Sequence, residues 1–283
     1  MSYTPHQAML TDVRMNAATT TPGSVFDSDA FFTRVQHART RGLMLDYDGT
    51  LAPFRLDPAQ AEPYPGVTPL LDAIMEARNT RLVIVSGRWI MNLLPLLQLK
   101  RLPEIWGSHG WERLSTNGEY DARPARREAL ELLVAADAWI DEIEACGARA
   151  ERKPASVAFH WRGLANHRVA EIRSKLFQKW MELAKSNELA WHDFDGGIEL
   201  RIAGCDKGDV VRTIVAECGP DAAFAYLGDD ETDEDAFRAM PAGSASVLVR
   251  TQYRRTQANS WIRPPEELLE FLRRWHEAAG GAP

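Results

Sequence analysis

Leu43-Met44-Leu45-Asp46-Tyr47-Asp48-Gly49-Thr50-Leu51 runs three apolar residues into two acids one residue apart, followed by Gly-Thr. Like charges that close repel, and burial strengthens the repulsion. The pair therefore needs a metal ion, a proton or an open, solvated turn. The run before it reads as a buried strand and Asp48-Gly49-Thr50 as the turn that ends it. Working outward, RLVIVSG (81–87) is a second β-branched run ending in Ser-Gly, and EIWGSHG (104–110) a third, ending in Gly-Ser-His-Gly. AAFAYLGDD (222–230) and SASVLVR (244–250) add two more strands. Helical patterns separate them: 67–79 after Pro65-Gly66, 89–99 interrupted by Pro95, 207–219, 231–240 and 266–278.

Strand–helix alternation of this kind predicts a parallel α/β sheet with helices on both faces, and a ligand crevice at the carboxyl ends of the strands. Asp46, Asp48, Ser86, His109, Asp229 and Asp230 all sit at or just past such ends. The two acids of the opening stretch are therefore expected to face a crevice. The middle of the chain lacks the rhythm. Residues 126–146 read as one long amphipathic helix, 157–162 and 198–202 as strands, and about 167–185 as another helix. Residues 114–200 are expected to form a separate α+β insertion, 39–113 and 201–283 the α/β domain around it, and 1–38 a flexible lead-in with a short helix near 29–37.

The chain has 283 residues and a formal charge of -7, which argues against nucleic acid or an anionic membrane as partner. It leaves a small anionic substrate open. Three cysteines, Cys146, Cys205 and Cys218, show no metal-ligand spacing and fit a reducing, cytoplasmic location. No apolar run approaches the roughly 20 residues of a membrane span, and the N-terminus lacks the basic and apolar regions of a secretory signal. A monomer is expected.

Each polar motif has a chemical reading beside a plain one. Asp46 is a candidate nucleophile and metal ligand, and Asp48 a candidate proton donor and acceptor. Mg²⁺ would hold Asp46 ionised; a turn with Asp as turn former is the alternative. Ser86-Gly87-Arg88 offers a hydroxyl and backbone N–H groups to an anion at a helix start, or merely caps that helix. Lys207 at a helix N-terminus is disfavoured by the dipole unless an anion occupies that end; it is otherwise an exposed first-turn lysine. Gly228-Asp229-Asp230-Glu231-Thr232-Asp233-Glu234-Asp235 is too acidic for a helix start alone. Asp229 is the expected ligand of a hard cation and Asp233 its support. Asp230, Glu231, Glu234 and Asp235 are left to the helix start, solvent or Lys207.

In their order, DxDGT, SGR, KG and GDDxxD resemble the haloacid dehalogenase (HAD) superfamily over residues 40–250. The resemblance implies a Rossmann-like core with an inserted C2-type cap. It also implies attack by Asp46 on phosphorus, general acid–base work by Asp48, and phosphate binding by Ser86 and Lys207. Mg²⁺ would be bound by Asp46, the Asp48 backbone carbonyl and Asp229. Strand alternation in the insertion puts Val157, Phe159 and Trp161 opposite Ala158, His160 and Arg162, and Ile198, Leu200 and Ile202 opposite Glu199 and Arg201. The polar sides suit sugar hydroxyls, or plain solvent. With Glu151-x-Lys153, expected just before the first strand near a turn at Pro154, these motifs resemble the trehalose-6-phosphate phosphatases. Trp161 stands where that family usually has Tyr. The likeness implies a phosphorylated disaccharide as substrate, held through Gly87, Arg88, Glu151, Lys153 and Glu199, with His109, His160 and Arg162 shaping the site. A phosphatase for another sugar phosphate, of sucrose- or mannosyl-phosphoglycerate type, is the near alternative. A non-catalytic phosphosugar sensor conflicts with the presence of Asp46, Asp48, Lys207 and Asp229, and a receiver domain with the large insertion.

Overall fold

The computed structural model describes residues 26–77, 79–183, 186–194 and 196–280. In chain order the first unit holds α1 (Ser28–His37), β1 (Arg41–Leu45), α2 (Val67–Glu76), β2 (Thr80–Val85), α3 (Ile90–Leu97), β3 (Glu104–Gly107), β4 (Glu112–Leu114) and β5 (Tyr120–Ala122). A second unit follows with α4 (Arg127–Asp137), α5 (Ile140–Ala145), β6 (Arg149–Lys153), β7 (Ser156–His160), α6 (Asn166–Leu183), β8 (Leu189–Phe194) and β9 (Gly197–Ile202). The chain then returns to the first through α7 (Lys207–Cys218), β10 (Ala223–Gly228), α8 (Glu234–Ala239), β11 (Ala245–Val249), β12 (Ser260–Ile262) and α9 (Glu266–Ala278).

The large sheet has the order β12-β11-β10-β1-β2-β3-β4-β5, parallel from β12 to β3 and antiparallel at β4 and β5. All five residues of β1 are buried, as a central parallel strand requires. Leu43 and Leu45 face a core shared with α1, α2 and α9, while Met44 faces the one built on α7 and α8. From β1 the chain moves outward through β2 and β3, and later outward the other way through β10 and β11. The strand order therefore reverses at the β1–β10 pair. That reversal opens a crevice beyond the carboxyl ends of both strands, where Asp46 and Asp229 emerge.

The second unit is a four-stranded antiparallel sheet of order β6-β7-β9-β8. Val157, Phe159, Ile198 and Leu200 pack with Leu133, Ile140, Ile143, Ile172 and Leu176 from α4, α5 and α6. All three helices thus serve one apolar face and leave the other, with Ala158, Glu199 and Arg201, for the crevice. The expected α/β core with an inserted α+β unit is what the chain forms.

Several local expectations are corrected. Residues 126–146 make two helices, because the Trp139 N–H bonds back only three residues to Ala136. The apolar spacing reads straight through this tightened turn. Glu151-Arg152-Lys153 does not precede a strand; it lies in β6, paired with β7 across a hairpin at Pro154-Ala155. Pro95 does not interrupt α3, which runs through it; the carbonyl of exposed Met91 goes without its helical donor. Strands β4, β5, β8 and β12 went unpredicted, being short or only partly buried. β5 pairs with β4 in the large sheet, beyond the expected division after residue 113, and β9 ends at Ile202. The helix expected near 29–37 forms as α1 and buries Phe31, Phe32 and Val35 on the core. Residues 1–25 and Lys185 lie outside the described residues.

Trp275 of α9 is fully buried against Phe31 and donates its indole N–H to Thr80 Oγ1 at 3.3 Å. Trp275→Ala should lower the free energy of unfolding by about 3–5 kcal/mol. Urea unfolding followed by circular dichroism measures this, and a loss below about 1 kcal/mol would contradict the packing described.

Candidate active site

The crevice centres on Lys207. Its side chain is 3% exposed, and its Nζ lies 2.7 Å from both Asp46 Oδ1 and Asp233 Oδ1. Asp206 caps α7 through a reciprocal capping box with Asp209, which sets Lys207 as the first helical residue. Gly208 lets α7 approach the backbone of α8, since a Cβ there would meet the Asp235 carbonyl at 2.6 Å. The anion that offsets a cation at this helix end is thus supplied by the protein. Burial alone would favour neutral Lys207, but Asp233 and Asp46 outweigh it and raise its pKa.

Asp46 follows β1 directly, its N–H bonded to the Leu227 carbonyl at 2.9 Å. Besides Lys207, its Oδ2 accepts from Thr50 Oγ1 at 3.3 Å. Burial raises its pKa, Lys207 opposes this, and Asp233 adds to it. Asp229 emerges from β10 with its Oδ1 buried and without a hydrogen-bond partner. Burial and the charges of Asp46 and Asp233 raise its pKa strongly. Gly49 adopts φ +84°, and any Cβ there would overlap the Asp229 carboxylate. The DGT turn and the Asp229 loop therefore touch only because residue 49 is glycine.

Carboxylate oxygens of Asp46, Asp229 and Asp233 lie within 4.8 Å of one another. Asp233, however, is committed. Its Oδ1 accepts from Lys207 and from Tyr226 Oη at 2.6 Å, and its Oδ2 from the N–H groups of Asp229 and Asp230, both at 3.0 Å. It is the scaffold of the cluster, while Asp46 and Asp229 offer oxygens to a hard cation.

Asp48 points both carboxylate oxygens at Arg88, with Nε–Oδ2 and Nη2–Oδ1 each 2.6 Å. Arg88 is anchored by a third bond to the Pro58 carbonyl at 2.9 Å. Ser86 caps no helix, because α3 begins only at Ile90. Its Oγ accepts the Arg88 N–H at 3.1 Å, and the residue is buried.

The polar face of the smaller sheet turns toward these groups. Lys153 Nζ donates to Glu199 Oε1 at 2.9 Å and to the backbone carbonyl of Gly87, in the large unit, at 2.8 Å. Ser156 Oγ donates to the same Glu199 oxygen at 2.6 Å, and His109 Nε2 lies 2.9 Å from Oε2. Burial would raise the Glu199 pKa, but Lys153 first, then His109 and Arg201, hold it well down. His160 Nε2 lies 3.0 Å from Glu151 Oε2, and Glu151 Oε1 receives only a 3.4 Å contact from Asn92. Burial opposes ionisation of Glu151, yet His160 and Lys153 bring its pKa to about 2. Arg162 stacks over Phe54 at 4.5 Å.

Together these residues enclose a cavity of about 250 Å³. Asp46, Asp48, Gly87, Arg88, His109, Glu151, Lys153, His160, Arg162, Glu199, Lys207 and Asp229 line it; Ser86, of the predicted set, does not. Phe54, Arg55, Leu56, Leu164 and Phe194 also line it and were not predicted. They are apolar or rim residues from irregular segments and a half-buried strand, with no motif to mark them. Asp230 lines the cavity too, Asp235 pairs with Arg238, and Glu231 and Glu234 pair with Arg254.

His109 is neutral at pH 7: burial first, then the Arg201 charge, lower its pKa to about 3. Its contact with Glu199 is therefore a hydrogen bond from neutral imidazole, and Lys153 supplies the balancing charge. In the unfolded chain His109 titrates near 6.5. Between the two values the unfolded state binds a proton that the folded state refuses, so stability falls as pH drops, by at most about 1.4 kcal/mol per unit. His109→Gln removes this contribution. The loss of unfolding free energy from about pH 6 to about pH 4 should be smaller in the variant, measured by urea unfolding; equal losses would show that His109 protonates normally in the fold.

The trehalose-phosphatase family profile matches residues 44–261. A trehalose-phosphate phosphatase of Mycobacterium marinum is 32% identical over 249 residues, which are 82% of this chain and 60% of the relative. One of Mycobacterium leprae is 30% identical over 256 residues, 84% of this chain and 58% of the relative. The chain thus spans about 60% of the length of these curated relatives. Among solved structures, the C-terminal domain of Candida albicans trehalose-6-phosphate phosphatase superposes with a TM-score of 0.74 at 23% identity, covering 90% of this chain and 97% of that one. A haloacid dehalogenase-like hydrolase from Bacteroides thetaiotaomicron superposes at 0.60 with 16% identity, covering 83% and 99%. These likenesses give the chain the HAD fold, and the sequence matches make it a member of the trehalose-phosphatase family.

Proposed function

We propose that this chain is a phosphatase that hydrolyses trehalose 6-phosphate to trehalose and phosphate, with Mg²⁺ as cofactor and the four-stranded unit as a cap that selects the sugar. The observation that carries this reading is the buried Lys207 bridge between Asp46 and Asp233, beside a buried Asp229 oxygen without a partner. One cation faces three carboxylates there, and two of them have oxygen lone pairs to spare. This donor set fits a hard divalent ion. Asp46, Asp229 and the Asp48 backbone carbonyl would hold Mg²⁺, which when bound offsets the carboxylate repulsion and draws charge from the phosphoryl oxygens.

The protein groups then divide the work. Asp46 attacks phosphorus in line with the departing sugar 6-oxygen and becomes an aspartyl-phosphate. Lys207 keeps Asp46 ionised, fixes its orientation and opposes charge on the phosphoryl group. Asp48 must part from Arg88 and take up a proton from solvent as the substrate binds; it gives this proton to the leaving oxygen, and then takes a proton from the water that cleaves the aspartyl-phosphate. Arg88, released, is a second cation for the phosphate. Ser86 acts through the turn it holds, not as a wall of the cavity.

On the cap, Glu151 has the freest acceptor oxygen and is the first candidate for a sugar hydroxyl. Lys153 has one N–H left after Gly87 and Glu199. Glu199, with three donors already, orders Lys153 and His109 and has one lone-pair site to spare. Phe54, Leu56 and Phe194 offer an apolar rim to the non-polar faces of the sugar rings. The three described cysteines are free thiols, in keeping with a reducing compartment. Among the described residues no helix is long and apolar enough to cross a membrane.

Inorganic phosphate release is the test, from trehalose 6-phosphate beside glucose 6-phosphate and sucrose 6-phosphate, with Mg²⁺ or EDTA. We expect Mg²⁺-dependent release from trehalose 6-phosphate in preference to the others, and a loss of about a thousandfold or more in Asp46→Asn. Preference for another sugar phosphate would keep the core chemistry and discard the cap assignments. Turnover that survives EDTA or Asp46→Asn would overturn the division of roles.

A further inference from the structure

The peptide that joins Asp229 to Asp230 is gripped from both ends. Its N–H, and that of Asp229, donate to Asp233 Oδ2. Its carbonyl accepts from Arg250 Nη1 and Arg254 Nε, both at 3.2 Å, while Arg254 Nη2 donates to the next carbonyl, that of Asp230, at 2.7 Å. The guanidiniums hold backbone, not the Asp229 carboxylate. Both arginines are themselves fixed. The Arg250 carbonyl accepts the Trp261 indole N–H at 2.8 Å. Arg254 Nη1 pairs with Glu234, whose carboxylate also accepts from Thr256 Oγ1 at 2.8 Å and the Gln257 N–H at 2.7 Å.

We propose that Arg254, assisted by Arg250, is a positioning residue for the divalent cation, an inference that rests on the metal reading given above. Asp229 carries a carboxylate buried beside two others, so repulsion pushes it away from the geometry a cation needs. A loop free to relax would turn it aside. Asp233 restrains the loop by its N–H groups, and the arginines restrain it by its carbonyls, so the carboxylate stays aimed at Asp46. Arginine suits the task because its rigid fork spans two successive carbonyls and a carboxylate at once, which the single ammonium of lysine does not. Groups that orient a metal ligand commonly change metal affinity by about 10–100-fold when removed.

The test is thermal unfolding of the full chain titrated with MgCl₂, without substrate, for the parent, Arg254→Gln, Arg254→Lys and Arg250→Gln. We expect the Mg²⁺ concentration for half of the melting-temperature rise to increase about tenfold or more in Arg254→Gln, and less in Arg250→Gln, which leaves the fork intact. Arg254→Lys should fall between the parent and Arg254→Gln, since it keeps the charge and loses the fork. If the metal-free melting temperature drops while the Mg²⁺ midpoint stays within about twofold of the parent, Arg254 is structural and the proposal is overturned. A parent that gains no stability from Mg²⁺ refutes the metal reading, and the proposal with it. Should Arg254→Gln fail to fold, Arg254→Lys and Arg250→Gln decide by the same midpoint.

Discussion

Among the described residues, Lys207 is the cation that pairs with Asp46 and Asp233, two of the three carboxylates clustered at the ends of β1 and β10, and the crevice is arranged around it. Its two 2.7 Å contacts tie the first turn of α7 to the end of β1 and to the 3₁₀ turn before α8. A buried ion pair need not stabilise a fold, because desolvation offsets much of the attraction. Breaking one is another matter, since the partner charge remains buried. The contribution of Lys207 is therefore geometric. It holds Asp46 in one orientation and leaves the three acids short of positive charge.

That shortfall explains much of the surrounding architecture. Asp233 spends both oxygens on four donors, Gly49 admits the Asp229 carboxylate against the DGT turn, and Arg254 and Glu234 brace the loop behind it. Burial, which raises the pKa of Asp46 and Asp229, makes the uncompensated charge costly in the absence of a cation. A divalent ion, as proposed for this site, would relieve that repulsion. The site also keeps nearby carboxylates apart in role, as acid–base chemistry between neighbouring groups requires.

The second unit meets this centre with a face that is polar but not solvated. Glu199 and Arg201 are buried, and Lys153 crosses to the Gly87 carbonyl of the large unit. One side chain thus joins the four-stranded sheet to the turn beside Asp48's partner Arg88. His109 belongs to the large unit yet bonds Glu199 of the small one. It does so from a turn in which Ser108 and His109 both have positive φ, at +48° and +58°. Buried Glu112 steadies that turn by accepting the Ser108 hydroxyl at 2.5 Å. Strain of this kind persists only where its surroundings over-determine it, and here it aims an imidazole between the two units.

The sequence alone determined the strand–helix rhythm, the parallel core and the two crevice acids, because an apolar run that ends in carboxylates has few physical outcomes. Alternation in 157–162 and 198–202 likewise separated the apolar face of the inserted sheet from its polar face. Local pattern did not resolve the break at Ala138–Trp139, where the apolar spacing continues through a tightened turn, nor the short strands β4, β5 and β12, which lack a run long enough to register. It left Ser86 between the phosphate and a helix cap, and it placed Glu234 at the helix start, solvent or Lys207; Glu234 does open α8, but its pairing with Arg254 was not legible. Only the tertiary structure decided that Ser86 braces a turn, that Asp233 is the partner of Lys207, and that Arg88 holds Asp48. The Asp233–Lys207 and Arg88–Asp48 pairings join residues 26 and 40 positions apart. Propensity and periodicity act over a few residues, whereas such contacts exist only once the β1–β10 reversal has brought distant loops to one crevice.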